Sequence, residues 1–575
     1  MSSRPDVRSR KNAGNGSSTY VYSGTQVSPY RQSSDGADGK ALKGDYILLH
    51  RPDRISQFFK SWRHWWKGDV EASDRMKPRK ERMKWRYVLS QGFLDMLWLF
   101  SGLLAFIGKC VEYPGNILRA NGGFWQSTKR LFGGGLIVPR KDDPRYLTLI
   151  SQLDPRTKLW VDKSAAGQSQ SESATSTIFP GTDAGARSTG DVLVMASKLA
   201  YENEAVIKEV VTKDWNMHFV GFYNCWNEFL KQKNTQVFIF ADKEVDANAI
   251  VIAWRGTEAF NAKDWSTDFD FSWYHLEGMG NVHVGFLEAL GLANRDNVKS
   301  FQTMQQKADD KWNNTRQQGS STSGLDPNVI EDNNKLLAYD DVTSVVRGLL
   351  AKHPSAKIYV TGHSLGGALA ALYTGMLYYN GETEIVPKLA AVYTFGQPRV
   401  GDEKFAKYMT EKLTDSRYFR VVYCNDLVPR IPFDDELFAF KHFGLCFYYN
   451  SQYKGRCLVE APRKNYFYLS DLLMVHVTAV GELINAFRPV DPEYAESWSS
   501  IMARVMALFV PGIGGHSPVN YVNAVRLGPS PLVAKVSEEI QELDENLHNW
   551  EEKMRTTVSG WWSRAFQSRR SVTPA

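Results

Sequence analysis

Cysteine is scarce in this chain: five among 575 residues, at positions 110, 225, 424, 446 and 457. An odd, widely spaced set does not build a disulfide framework and points to free thiols in a reducing compartment. Cys-x-x-Cys and His/Cys clusters are absent, so no metal and no cofactor is expected. The opening stretch MSSRPDVRSRKNAGNGSS has no apolar core and does not read as a secretory signal. Internal repeats are lacking as well. The net charge is only +6, which argues against a generally basic, polyanion-coating protein. What basic excess exists is local: residues 51–86 hold twelve Lys/Arg against five Asp/Glu. No DNA or RNA motif accompanies this block, so nucleic acid is not an expected partner.

Residues 1–45 are rich in Ser, Gly, Arg and Asp with few apolar anchors, and are expected to be disordered. Order is expected to begin at DYILL (45–49). In the basic block, Trp62, Trp65, Trp66 and Trp85 alternate with Lys and Arg, a composition suited to a membrane interface. Directly after it, 93–107 (FLDMLWLFSGLLAFI) is apolar apart from Asp95. About 15 residues fall short of the roughly 20 that a spanning helix needs. The run therefore reads as an interfacial or re-entrant anchor, with a spanning helix or a buried core helix as alternatives. Residues 46–145 are taken together as a membrane- or lipid-droplet-associating region.

From 146 to 530 the chain reads as one globular domain interrupted by polar insertions near 161–190 and 313–334. Strands are expected at 237–240, 249–254, 358–360, 389–395 and 418–423. Helices are expected at 192–202, 340–352, 368–379 and 403–413. Strand and helix alternate, which means an α/β fold with a mainly parallel central sheet. A charged amphipathic helix and tail close the chain at 531–575.

One turn organises this domain. Val360-Thr361-Gly362-His363-Ser364-Leu365-Gly366-Gly367 contains Gly-x-Ser-x-Gly between a β-type run and a helical run, the setting of a nucleophile elbow. A serine needs a base, and in α/β-hydrolases acid and histidine follow it in that order. Four histidines come later. His548 sits in the charged terminal helix, His476 in an apolar helical run, and His442 reads as structural. His516 lies in the glycine-rich loop PGIGGHSP (511–518) and is the expected base. For the acid, Asp426 follows the strand 418–423, at the strand end where catalytic groups of open α/β sheets gather. Asp402, Asp415, Asp434 and Asp435 read as turn or helix-start residues. The oxyanion would be met by the backbone N–H of Leu365 and by Thr257, in the stretch Trp254-Arg255-Gly256-Thr257 that ends the strand 249–254.

These motifs resemble a known family. Arg255-Gly256-Thr257, Val282-His283-Val284-Gly285-Phe286, the elbow, Thr394-Phe395-Gly396-Gln397-Pro398-Arg399-Val400-Gly401 and Asn425-Asp426-Leu427-Val428-Pro429 are similar, in that order, to the class 3 (fungal-type) triacylglycerol lipases. Further stretches (MASKLAYEN at 195–203, FYNCW at 222–226, KHFGLC at 441–446, YVNAVRLG at 521–528) resemble the plant oil-body lipases within that family. The resemblance implies an α/β-hydrolase fold, a Ser364–His516–Asp426 triad, and neutral acylglycerols as substrate. It implies residence on lipid droplets (oil bodies) or the endoplasmic reticulum membrane, on the cytosolic side. It also places a lid at 258–271, with Phe260, Trp265 and Phe269 as the residues that would meet lipid. A phospholipase A1 or galactolipase, and a lipid-droplet scaffold without chemistry, are the competing readings. Finally, Val533, Val536, Ile540, Leu543, Leu547, Trp550 and Met554 form a heptad-like stripe that would serve either a homo-oligomer or packing onto the chain's own domain.

Overall fold

The computed structural model describes residues 46–49, 70–72, 99–160 (apart from 100, 101, 104 and 107), 183–258 (apart from 229), 271–305 (apart from 298), 336–462 (apart from 414–416, 433 and 435–438), 469–487 and 511–528, with 496, 500, 501, 504, 505 and 508 between the last two. The expected lid residues Phe260, Trp265 and Phe269, the terminal stripe at 533–554, the stretch 1–45 and nearly all of the basic block lie outside them.

Eight strands form the main sheet: β1 (His218–Asn227), β2 (Gln232–Ala241), β3 (Ala249–Trp254), β4 (Lys357–His363), β5 (Leu389–Phe395), β6 (Tyr418–Tyr423), β7 (Cys446–Tyr449) and β8 (Gly455–Leu458). They lie side by side in sequence order. β3 through β7 run parallel, and β1, β2 and β8 add antiparallel edges. Central β3 reads AIVIAW and is buried at every position, as a strand covered on both faces must be. Parallel neighbours need crossovers; helices carry those between β3 and β6, and further helices precede and follow the sheet in the chain. In chain order the ones used below are α1 (Phe124–Phe132), α2 (Asp183–Leu199), α3 (Ala338–Lys352), α4 (Leu365–Tyr379) and α5 (Pro518–Leu527). α4 is buried from Leu365 through Leu377, and its apolar residues surround it on every side, as suits a helix enclosed by the core.

α2 begins eight residues before the end of the expected insertion, at Asp183 rather than past 190. Thr189 and Gly190 are already buried. The polar Asp191 that follows is held by Arg526 of α5 at 2.6 Å, a partner 335 residues away that no local pattern signals.

A second, antiparallel sheet of six short strands was not legible in the sequence. It runs Phe440–Lys441, Gly401–Asp402, Gly280–His283, Trp273–Leu276, Tyr46–Leu49, Val70–Ala72. Its members have two to four residues, too few for a period to show. Tyr46 pairs with Tyr274, so the stretch 46–49 is woven into the same sheet as strands more than 200 residues later. Farther along, Asn116 donates to the Leu147 carbonyl at 2.8 Å and accepts from the Leu147 N–H at 2.8 Å. Asn203 donates to the carbonyls of Asp143 and Tyr146.

Candidate active site

The register of the sheet sets Trp254 of β3 beside Gly362 of β4, so both strands end at the same edge. There the chain turns into α4 within one residue. Ser364 takes φ 60°, ψ −134°, a left-handed conformation that costs on the order of 1–3 kcal/mol for a residue with a Cβ. The turn is held by the Ser364 N–H donating to the Phe395 carbonyl of β5 at 2.8 Å. Its glycines are required by contact. A Cβ on Gly362 would collide with the Gly366 carbonyl, and one on Gly366 with the Trp254 carbonyl.

The structure brings the three residues singled out from the sequence into one hydrogen-bonded line. The Ser364 hydroxyl lies 2.7 Å from His516 Nε2, and His516 Nδ1 lies 2.7 Å from Asp426 Oδ2. All three are buried, Asp426 fully. Asp426 stands in a tight turn after β6, where Cys424 has φ 40°. Its other carboxylate oxygen accepts the Val428 N–H at 2.8 Å. The rivals are engaged elsewhere. His442 Nε2 lies 2.7 Å from the Pro429 carbonyl, and burial pushes its imidazole well below the ordinary histidine range. Asp402 caps the helix Glu403–Lys412 through the Phe405 N–H. His476 sits on the helix Leu469–Ala486; His548 lies outside the described residues.

Thr257 is buried three residues beyond β3. A Cβ on the intervening Gly256 would stand 2.9 Å from Ser364 Cβ and would collide with the Tyr201 hydroxyl and the His363 carbonyl. The strand end carrying Thr257 is therefore pressed against the nucleophile, while Leu365 opens α4 on the other side. A cavity of about 910 Å³ opens next to this strand end, lined by Tyr201, Arg255 and Glu258 among others but by no triad residue.

Residues missed in the sequence support the line. Tyr521 of α5 donates its hydroxyl to Asp426 Oδ2, the oxygen that also faces His516. Burial, then the Asp426 charge, pushes the Tyr521 phenol well above its ordinary value, so it remains a neutral donor. Arg430 binds the Asp426 and Cys424 carbonyls and fixes the acid turn. His363 packs beside His516, ring centroids 4.6 Å apart and planes tilted by 31°, and its Nδ1 lies 2.7 Å from the Tyr201 hydroxyl. Burial and then the His516 charge push His363 well below its usual value, so a second positive charge does not arise beside the imidazolium. Tyr521 is five residues past His516, but only the turn of the loop onto α5 aims it at the acid.

Tyr521→Phe is expected to lower kcat about tenfold with KM unchanged, because one charged-group hydrogen bond of roughly 1.5–3 kcal/mol disappears while the substrate surface stays intact. Steady-state kinetics on a soluble ester would show it; a KM rise at constant kcat would assign Tyr521 to substrate binding instead.

Comparison with known proteins places the chain in a family. The family Lipase (class 3) matches residues 251–436, the span holding Thr257, Ser364 and Asp426. Triacylglycerol lipase OBL1 of Arabidopsis thaliana is 41 % identical over 466 residues, covering 80 % of this chain and 86 % of that protein. Triacylglycerol lipase OBL1 of Ricinus communis is 42 % identical over 477 residues, covering 80 % and 89 %. Among solved structures, lipase II from Rhizopus niveus aligns at 24 % identity and TM-score 0.28 over 42 % of this chain and 69 % of that one. By its sequence kinship with the plant enzymes, this chain belongs to the class 3 lipases.

Proposed function

We propose that the chain is a triacylglycerol lipase working at the surface of lipid droplets, with Ser364, His516 and Asp426 as its catalytic residues. The observation that carries the chemistry is the unbroken 2.7 Å spacing from Ser364 Oγ to His516 and from His516 to Asp426. His516 Nε2 takes the proton as Ser364 Oγ attacks the ester carbonyl, and Asp426 stabilises the imidazolium. The oxyanion forms against the N–H groups of Leu365 and Thr257. The diacylglycerol hydroxyl leaves with the proton from Nε2, and the acyl group stays on Ser364. Water, deprotonated by the same nitrogen, then releases the fatty acid. No step needs a metal.

The substrate class follows from the relatives' names, and the surface from two features of this chain. The helix 108–120 and the helical residues before it turn Gly102, Ala105, Gly108, Lys109 and Glu112 toward the cavity beside the core. Leu103 and Phe106, which belong to the apolar run 93–107, are exposed. A core helix would place them the other way round, so this favours the interfacial anchor over the buried alternative. Among the described residues no helix is long and apolar enough to cross a membrane. A lid at 258–271, with Phe260, Trp265 and Phe269 opening onto lipid, completes the reading.

The test is hydrolysis of matched triolein, phosphatidylcholine and galactolipid emulsions alongside a soluble ester. Triolein should be preferred. A higher kcat/KM on phospholipid or galactolipid would replace the substrate class, and failure of a serine-directed covalent probe to label Ser364 would leave a scaffold. Trp265→Ser should reduce turnover on emulsion by roughly tenfold or more and spare the soluble ester. Equal loss on both substrates would give Trp265 a structural role.

A further inference from the structure

α1 is built inside out. Its one buried residue is Ser127, whose hydroxyl donates back to the Gly123 carbonyl at 2.7 Å. Its large apolar side chains face away from the protein: Phe124 is 64 % exposed, Trp125 78 %, Leu131 59 % and Phe132 87 %. Spacings of one, seven and eight residues put these four along one stripe of a helix. A water-facing stripe of two phenylalanines, a tryptophan and a leucine forgoes a large burial energy unless something apolar covers it.

The stripe is also held out deliberately. The buried Asn121 binds the Ile117 carbonyl at 2.8 Å, the Ile137 carbonyl at 2.7 Å and the Ile137 N–H at 2.9 Å. Residues 122–136 therefore leave the body and return at one pinned base. Charge at the excursion has a single sign. Residues 113–140 contain Arg119, Lys129, Arg130 and Arg140 and no Asp or Glu, and Lys129 and Arg130 in the last turn are exposed.

We propose that α1 is a lipid-insertion wedge: it lies flat in the headgroup layer of the droplet surface, with Phe124, Trp125, Leu131 and Phe132 in the acyl region and Lys129 and Arg130 on the phosphates. Tryptophan and phenylalanine settle at such interfaces, and adjacent cations bind anionic headgroups. A second copy is a poorer occupant, since two faces rimmed only by cations repel each other. The wedge is separate from the apolar run 93–107 and rests on the lipid-surface reading above.

The test uses the full chain with Cys110→Ser, because the other four cysteines are buried, and an environment-sensitive nitrobenzoxadiazole label on Trp125→Cys. Triolein droplets coated with phosphatidylcholine, with or without phosphatidylserine, should shift the label's emission to the blue and brighten it. Trp125→Ser combined with Phe132→Ser should reduce co-flotation with droplets about tenfold or more, with soluble-ester turnover and melting temperature unchanged. Lys129→Gln with Arg130→Gln should weaken flotation mainly where phosphatidylserine is present. A label that stays in water while the protein floats and hydrolyses triolein overturns the wedge and leaves the lipase reading standing. A label already shielded without lipid overturns it in favour of the chain's own apolar stripe at 533–554. Shielding that grows with protein concentration overturns it in favour of a second copy. Loss of hydrolysis on every ester would sink the lipase reading alone, because the label reports insertion without any turnover.

Discussion

Ser364→Ala will take hydrolysis of soluble and emulsified esters down together, a fall on the order of a millionfold in kcat, and His516→Ala will match it. Asp426→Asn should cost on the order of ten-thousandfold, since an amide cannot hold the same imidazole tautomer. The losses will not add, because the three side chains act through one proton path: once Ser364 is gone, removing His516 should change little more. Single-turnover acylation with a p-nitrophenyl ester reads each variant. Activity surviving in His516→Ala but not in His442→Ala would move the base to His442, against its engagement with Pro429. Stability supplies a second arm. Ser364 occupies a conformation that suits glycine, so Ser364→Gly should be more stable than Ser364→Ala by about 1 kcal/mol. If the two melt alike, the turn carries no strain, and the energy held at the nucleophile is not part of its presentation.

The elbow was legible because its constraint is local. Gly362 and Gly366 exist to let backbone touch backbone, and that need lies within five residues of sequence. Strands β5 and β6 were equally plain, with bounds at 389–395 and 418–423 matching those observed, since buried parallel strands are short unbroken apolar runs between polar turns. Asp426 and His516 could be chosen by their positions at a strand end and in a glycine loop. What escaped was everything that depends on tertiary approach. Tyr521 looks like any helix residue until α5 packs under the acid turn. His363 reads as the spare residue of the motif, yet its ring packs beside that of His516 and meets Tyr201 from a loop 162 residues earlier. The inverted α1 escaped for another reason. Its spacing announces an amphipathic helix, but periodicity does not say which side faces the protein; burial of Ser127 decides that.

Replacing Glu460 with glutamine should destabilise the fold in a pH-dependent way, away from the catalytic line. Arg399, Arg420 and Arg430 are all buried behind the acid turn. Glu460 Oε1 lies 3.3 Å from Arg420 and accepts the Ala461 N–H at 2.9 Å. Burial alone would push this carboxyl up; Arg420 first, together with Arg399 and the Ala461 N–H, outweighs it and holds the group at about 2, below its ordinary 4.5. Removing one partner from a fully buried ion pair costs about 3–5 kcal/mol, whereas replacing both by apolar groups can be nearly neutral; Arg420 is fully buried but Glu460 keeps 26 % of its side chain exposed, so water screens part of that cost. Glu460→Gln should therefore lower stability by about 2 kcal/mol, roughly 2–3 °C in melting temperature for a domain of this size, and Glu460→Met with Arg420→Met should recover much of it. The sign with pH follows from the depressed value. The stabilisation is complete above about pH 4.5 and is lost as pH falls through about 2. Wild type and Glu460→Gln should therefore differ most near neutrality and converge in acid. Denaturant melts at pH 7, 4 and 2.5 measure the gap, and a gap that stays constant would mean that Glu460 contributes by packing rather than by charge. Arg430 ties this cluster to the Asp426 backbone. A folded Glu460→Gln enzyme should for that reason also lose part of its kcat, through a looser acid turn, while its KM for a soluble ester stays where it was.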